Sequence, residues 1–200
     1  MSGRRPREGE GAKMKYTMNI AGLDRDLPLC PISDELYIAA FICFGDAEIS
    51  EACARELLKL VSPEEYDYIF TAEAKGIPIA HEMARQCKAE KYFVARKGPK
   101  NYMPDPISVE DRSITTKGTQ KLYIGRDDAE MIRGKRILLV DDVISTGGSL
   151  RAMEEMVELC GGKVTARVCV LAEGDAAKRT DIRFLHRLPL FNSKGEPLEG

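Results

Sequence analysis

Apolar residues fall into short continuous runs along this chain, and segments with apolar positions three and four residues apart lie between these runs. Five runs have the length and the β-branched or aromatic content of buried strands, at residues 36–44, 66–71, 91–95, 136–140 and 164–172. The spacing predicts helices at residues 49–61, 78–87 and 150–160, with Pro78 in a first turn and two glycines after the last helix. This alternation predicts an α/β fold with a central, mostly parallel sheet and helices on both faces.

A long polar segment interrupts this order after residue 96. It carries three prolines and many charges up to about residue 117, and a short strand at residues 121–124 would close it. A segment of this length inside a compact domain is typical of a functional flap, and disorder without function is the alternative. We place the flap at about residues 97–120 of a single domain that spans residues 14–200. Residues 1–13 are interpreted as a disordered or vector-derived tail, and of the last 28 residues only an apolar patch at residues 184–191 can be assigned.

Composition narrows the class of protein. The chain has 200 residues, 44% of them hydrophobic, which suits one domain with its own core. Its 30 basic and 32 acidic residues are mixed along the chain, so we expect no nucleic-acid partner and no membrane association, and we predict a cytoplasmic protein. Six cysteines without a CxxC pair favour buried free thiols, and two histidines disfavour a histidine-rich metal centre.

The most informative stretch is ILLVDDVISTGGSL, residues 137–150, where Asp141 and Asp142 end an apolar strand. Ligands of open parallel sheets bind beyond the carboxyl ends of the strands. Carboxylates at that edge can accept hydrogen bonds from the vicinal hydroxyls of a ribose, directly or through hydrated Mg²⁺. We therefore predict that this pair is catalytic.

Small residues follow the two aspartates and lead directly into a helix. Glycines allow close approach of the backbone, and the free N–H groups and hydroxyls make an anion cradle suited to a phosphate. Neither a Walker A sequence nor GxGxxG is present. The candidate 5′-phosphate residues are Ser145, Thr146, Gly147, Gly148 and Ser149.

The string LLVDDVISTGGS resembles the phosphoribosyl-diphosphate (PRPP) motif of the type I phosphoribosyltransferases. The resemblance implies that fold, with a small hood and a flexible flap. It also implies that Asp141 and Asp142 hold the ribose hydroxyls. TAEAKGIP, residues 71–78, resembles the family's pyrophosphate loop. The pyrophosphate-binding residues it implies are Ala74, Lys75, Gly76, Arg96 and Lys97.

The resemblance also implies Mg²⁺ dependence, with the ion held through PRPP. It further implies PRPP and a purine base as substrates, and a homodimer. Human-type hypoxanthine-guanine enzymes carry an aspartate before the Thr-Gly of the motif, where this chain has Ser145, so that subclass is disfavoured. Adenine is the first choice, because the chain shares the Leu-x-Glu ending at Glu173, which could read a base edge or be an ordinary surface carboxylate. The flap lacks the expected acidic helper and is more similar to that of xanthine enzymes, so xanthine is second. A non-catalytic PRPP-sensing protein of the same fold is the alternative function.

Overall fold

The computed structural model describes residues 14–111 and 120–198. Ten strands lie in chain order: β1 Lys15–Ile20, β2 Leu23–Pro31, β3 Tyr37–Ala39, β4 Tyr68–Ala72, β5 Tyr92–Ala95, β6 Ile107–Asp111, β7 Gln120–Ile124, β8 Arg136–Ile144, β9 Lys163–Glu173 and β10 Arg183–Leu188. The α-helices are α1 Ala47–Leu58, α2 Gly76–Gln86, α3 Arg126–Ile132 and α4 Gly148–Leu159. Short 3₁₀ helices occupy Pro63–Glu65 and Gly174–Lys178.

The central sheet has five strands in the order β10-β9-β8-β4-β5, and every neighbouring pair is parallel. Because all five carboxyl ends lie along one edge, the polar residues that follow β4, β8 and β9 meet there. The predicted α/β class and the parallel central sheet are therefore confirmed.

Helices cover both faces of this sheet. In β8, Leu138 and Val140 belong to the core that includes α1 and α2, while Ile137 and Leu139 belong to the core that includes α3 and α4. Alternate side chains of a strand point to opposite faces, so a strand buried on both sides is apolar throughout. This explains why the central strands were recognisable as continuous apolar runs.

A separate antiparallel sheet, β1-β2-β3, forms a hood beside the carboxyl edge. Arg25 of β2 fastens it to the start of α1, since its Nε lies 2.6 Å from Asp46 Oδ2. Asp46 also caps that helix by accepting from the Ile49 amide at 3.0 Å. The hood is thus held by a side chain that at the same time begins α1.

The predicted strand at residues 36–44 was too long. Only Tyr37–Ala39 is a strand, and the chain then runs as an irregular segment toward α1. Phe41 and Cys43 are buried there while Ile42 and Phe44 are about half exposed, which is the alternation a strand would show. An irregular segment whose residues are alternately buried and exposed therefore has the same sequence pattern as a β-strand.

Several elements were not predicted at all. The sequence pattern did not predict the β1-β2 hairpin, β6, α3 or β10, although all of β10 except Arg183 falls in the apolar patch at residues 184–191. The hairpin strands are polar on one face, and their turn uses Ala21 and Gly22, both with positive φ. Such a half-polar strand gives a weaker signal than a buried one.

The predicted N-terminal tail lies outside the described residues, and the predicted flap lies partly outside them. The tail is at residues 1–13, and the part of the flap outside is at residues 112–119; the flap ends that are described form the β6-β7 hairpin. None of the six cysteines is in a disulfide, and four of them are buried, as expected. No helix within the described ranges is both long and apolar enough to cross a bilayer.

Candidate active site

A cavity of about 320 Å³ opens at the carboxyl edge of the central sheet. The hood covers one side of it, and the loops after β4 and β8 and the end of β9 form the rest. Its walls include residues 38–41, 72–75 and 141–150, together with Lys97 and Glu173. The cavity therefore collects most of the residues predicted from the sequence.

Asp141 and Asp142 lie within β8, beyond its apolar part. Asp142 is buried, and its Oδ2 lies 2.5 Å from Lys75 Nζ. Among the described residues, no donor makes a well-aligned hydrogen bond to that oxygen. Burial, followed by the nearby charge of Asp142, raises the pKa of Asp141 well above its ordinary value. A ligand that brings hydroxyl donors or a cation would stabilise both carboxylates in their charged forms.

The loop between β8 and α4 has the geometry of an anion cradle. Gly147 has φ +78°, and α4 begins at the next residue and runs for 12 residues, so its first N–H groups have no partner within the helix. A Cβ at position 147 would lie 2.6 Å from Arg179 Nη1. Glycine is favoured here by its left-handed backbone conformation, whereas the Arg179 guanidinium is the end of a flexible side chain that could move aside. Serines 145 and 149 and Thr146 flank the cradle and line the cavity.

The loop between β4 and α2 is the predicted pyrophosphate loop. Ala74 and Lys75 line the cavity, and Gly76 begins α2 behind them. Lys75 Nζ donates to the Phe41 carbonyl at 3.3 Å besides pairing with Asp142, and Cys43 Sγ donates to the Lys75 carbonyl at 3.1 Å. Burial opposes the charged form of Lys75, but Asp142 and Asp141 together outweigh burial and raise the Lys75 pKa. The Lys75 side chain therefore carries its positive charge next to Asp142.

Arg96 and Lys97 occupy different positions. Lys97 lines the cavity, and its backbone N–H donates to Glu73 Oε2 at 2.8 Å. Arg96 does not line it: its guanidinium lies 3.4 Å from Glu73 Oε2 and donates to the Tyr102 hydroxyl at 2.6 Å. The structure therefore places Lys97 at the cavity, whereas Arg96 lies outside the cavity and contacts Glu73 and Tyr102.

Glu173, at the end of β9, is 6% exposed and lines the cavity. Burial raises the pKa of this carboxyl, and a hydrogen bond with the Ser145 hydroxyl partly offsets the rise. The alternative interpretation of Glu173 as an ordinary surface carboxylate is wrong, because the side chain is buried.

The hood residues of the site were not recognised in the sequence. Ile38, Ala39, Ala40 and Phe41 line the cavity opposite the loops. Their apolar run was assigned to a sheet strand, and no local pattern distinguishes a cavity wall from a core strand. Only the packing of the hood over the carboxyl edge places them there.

The donor set suits Mg²⁺ held mainly by a substrate. Within residues 14–111 and 120–198, no three His, Cys, Asp or Glu side chains are arranged to hold a metal ion. Mg²⁺ is commonly bound by one or two carboxylates together with waters and substrate phosphates. Asp141 and Asp142 supply two hard oxygen donors of that kind beside the anion cradle.

Comparison with known proteins shows which family has this arrangement of residues. The family model described as phosphoribosyl transferase domain matches residues 46–187. The chain belongs to the phosphoribosyltransferase family.

Relatives within this family are named for purine bases. Adenine phosphoribosyltransferase of Kosmotoga olearia is 30% identical over 154 residues, covering 77% of this chain and 87% of the relative. Hypoxanthine/guanine phosphoribosyltransferase of Methanotorris igneus is 32% identical over 149 residues, covering 74% and 73%. The chain is thus a member of the purine phosphoribosyltransferases.

A solved structure shows the same fold. Adenine phosphoribosyltransferase from Thermoanaerobacter pseudethanolicus superposes with a TM-score of 0.64 at 22% identity, over 80% of this chain and 95% of that chain. The type I phosphoribosyltransferase fold expected from the motif is therefore confirmed.

Proposed function

We propose that this protein transfers the 5-phosphoribosyl group of PRPP to a purine base, adenine in the first place, and releases pyrophosphate. The observation that carries the proposal is the convergence of three elements on one cavity: the carboxylate pair of β8, the glycine cradle before α4 and the cationic loop after β4. A ribose with a phosphate at one end and a diphosphate at the other matches this arrangement.

Each element has a distinct task in this reaction. Asp141 and Asp142 would accept hydrogen bonds from the ribose hydroxyls. The N–H groups of residues 145–149, with the hydroxyls of Thr146 and Ser149, would hold the 5′-phosphate. Lys75 and Lys97, with the amides of Ala74 and Gly76, would stabilise the negative charge of the departing diphosphate. Arg96 would act indirectly, by fixing Glu73 and through it the backbone of Lys97.

Lys75 must change partner when PRPP binds. Its ammonium contacts Asp142, at the position proposed for the ribose hydroxyls, while the loop that carries it is proposed to bind diphosphate. A diphosphate group presents more negative charge than one carboxylate, so it can attract the ammonium away. The carboxylate is then available to the ribose.

The reaction would depend on Mg²⁺. The ion would be held by PRPP oxygens and waters, with Asp141 and Asp142 as the nearest protein oxygens, and it would neutralise the charge of the diphosphate. This role agrees with the two-carboxylate donor set described above.

Support for adenine comes from the chemistry of the cavity. Relatives named for adenine and for hypoxanthine/guanine are about equally similar to this chain. Glu173 lines the cavity as a buried carboxyl, and in its charged form it accepts but does not donate hydrogen bonds. Such a group matches the exocyclic amino group of adenine better than the oxo group of hypoxanthine or xanthine. Adenine is therefore preferred, and xanthine is the second choice.

The homodimer and the cytoplasmic location stay predictions. Ile42 and Phe44, about half exposed on the segment that leads from the hood to α1, offer apolar surface of the kind that subunit contacts use.

The experiment is pyrophosphate release from PRPP with Mg²⁺, run in parallel against adenine, hypoxanthine, guanine, xanthine, uracil and orotate. We expect turnover with adenine at least about tenfold above any other base, and none when Mg²⁺ is removed by a chelator. Turnover with another purine would change the proposed base but leave the proposed enzymatic activity in place. Tight PRPP binding without turnover on any base would contradict the proposal and favour the PRPP-sensing alternative.

A further inference from the structure

Glu173 is unusual among the buried acidic side chains of the site. It is 6% exposed, yet it has no ion pair with any lysine or arginine of residues 14–111 and 120–198. Its contact is the Ser145 hydroxyl, the residue just before Thr146 and Gly147 of the phosphate cradle. A carboxyl group kept from water without a cation is costly for folding, which indicates a functional role.

The order of the strands shows on which side of the ribose Glu173 lies. β8 carries the proposed ribose carboxylates and lies between β4 and β9 in the sheet. The proposed diphosphate loop follows β4, whereas Glu173 ends β9. Glu173 is therefore across the ribose position from the leaving group.

Displacement at C1 of the ribose places the incoming nitrogen opposite the departing diphosphate. The purine would then occupy the β9 side of the cavity, under hood residues 38–41, where Glu173 lines the wall. A carboxylate on that side would face the ring N–H that loses its proton in the transfer. Proton transfer by a positioned side chain requires this proximity first.

We propose that Glu173 is the catalytic base that removes the ring proton of the purine, and that the Ser145 hydroxyl positions its carboxylate. This inference rests on the proposed function. In the step, N9 of the purine forms a bond to C1, the proton on N7, which lies next to the exocyclic amino group, passes to a Glu173 carboxylate oxygen, and the C1–O bond breaks. The electron pair of that bond leaves with pyrophosphate, so charge and protons balance.

The surrounding charges are compatible with a base that works near neutral pH. Lys75 and Asp142 face Glu173 with opposite effects, and Asp141 and Lys97 line the same cavity. The hood segment at residues 38–41 contributes no ionisable side chain. Burial raises the pKa of Glu173 above the ordinary 4.5, which makes the carboxylate a better proton acceptor.

The test compares Glu173→Gln and Ser145→Ala with wild type, and uses Asp175→Asn as the matched control. Asp175 is two residues away, its side chain is 94% exposed, and it pairs with Lys178 outside the cavity. Measured quantities are kcat, KM for adenine and kcat/KM from pH 5 to 9, together with the Kd for PRPP and the melting temperature, which report whether the variants fold.

For Glu173→Gln we expect kcat to fall by about 10² to 10³, with the Kd for PRPP within about twofold of wild type. Activity requires the carboxylate, so wild-type kcat/KM should fall as the pH drops through the raised Glu173 pKa. This acidic limb should vanish in Glu173→Gln and persist in Asp175→Asn. Ser145→Ala should lower kcat by about tenfold and leave KM for adenine nearly unchanged.

A second substrate separates catalysis from structure. An adenine analogue with an electron-withdrawing substituent has a more acidic ring N–H and needs less help from a base. The Glu173→Gln defect should therefore be smaller with that analogue by about tenfold or more. An equal defect with both substrates would indicate a structural role and overturn the proposal.

Failure of this inference can be told from failure of the proposed function. If wild type turns over a purine while Glu173→Gln keeps full kcat and its acidic limb, the base assignment is wrong and the enzyme assignment stands. If wild type turns over no base at all, both proposals fail.

Discussion

Gly76 shows how a single missing side chain shapes the pyrophosphate loop. A Cβ on this residue would lie 2.1 Å from Thr71 Oγ1, 3.4 Å from the Val140 carbonyl oxygen and 3.5 Å from Asp141 Oδ1. Both Thr71 and Gly76 are buried, so the clash cannot be relieved into solvent. The loop can pass this close to Thr71 of β4 only because residue 76 has no side chain.

We predict that Gly76→Ala destabilises the protein by about 1 to 3 kcal/mol, the usual cost of overpacking a filled interior. It should also weaken PRPP binding at least about tenfold, because the pyrophosphate loop must shift to relieve the clash with Thr71. Chemical denaturation and titration calorimetry with PRPP measure the two effects.

A control and a rescue sharpen this prediction. Gly98→Ala should leave the melting temperature unchanged, because a methyl group there meets no atom within 4 Å. The double variant Thr71→Ala/Gly76→Ala removes the closest clashing atom and should recover part of the lost stability. No difference between Gly76→Ala and Gly98→Ala would refute the packing argument.

At the scale of elements, the hood and the central sheet are joined by a histidine. His186 of β10 accepts a hydrogen bond from the backbone N–H of Ala21, in the β1-β2 turn, with an N···N distance of 3.2 Å. Only a neutral imidazole has an acceptor nitrogen. Burial lowers the pKa of His186 below 6.5, which favours that neutral form in the folded state.

This contact predicts a pH-dependent contribution to stability. Because the unfolded chain binds the proton more readily, the contribution is fully present above pH 6.5 and is lost as the pH falls through the lowered pKa. His186→Gln should therefore lose less stability than wild type between pH 7.5 and 5.5, as measured by urea midpoints. The chain has one other histidine, His81, which is exposed on α2, and His81→Gln should behave as wild type. Equal pH dependence in wild type and His186→Gln would contradict the role of this contact.

The same scale shows why some elements were predictable and others were not. β8 is apolar up to Val140 because both of its faces are covered, and its run ends at Asp141, so strand and motif are visible together in the sequence. β1 and β2 are half exposed, and their polar side chains pair across the hairpin, for example Asn19 with Asp24. These two strands form through pairing with each other and packing in the folded protein, which a local sequence pattern does not show.

For the whole molecule, the site was predicted where its residues are close in sequence and missed where the fold assembles them. The aspartates and the phosphate cradle form one continuous string, so their chemistry could be inferred directly. The hood wall at residues 38–41 reaches the cavity only through tertiary packing. Lys97 and Arg96 are neighbours in sequence, but only the former lines the cavity, because Glu73 and Tyr102 hold the latter.

The central claim is that the carboxylates at the end of β8 hold the ribose of PRPP during transfer. Its most direct test is the rate of pyrophosphate release by Asp142→Asn with PRPP, Mg²⁺ and the preferred purine, beside Asp175→Asn and with melting curves for both. We predict that Asp142→Asn keeps a cooperative melting transition and loses at least about 10²-fold in kcat/KM, which corresponds to about 2.7 kcal/mol of transition-state stabilisation. Asp175→Asn should match wild type. Unchanged turnover in folded Asp142→Asn would contradict the account.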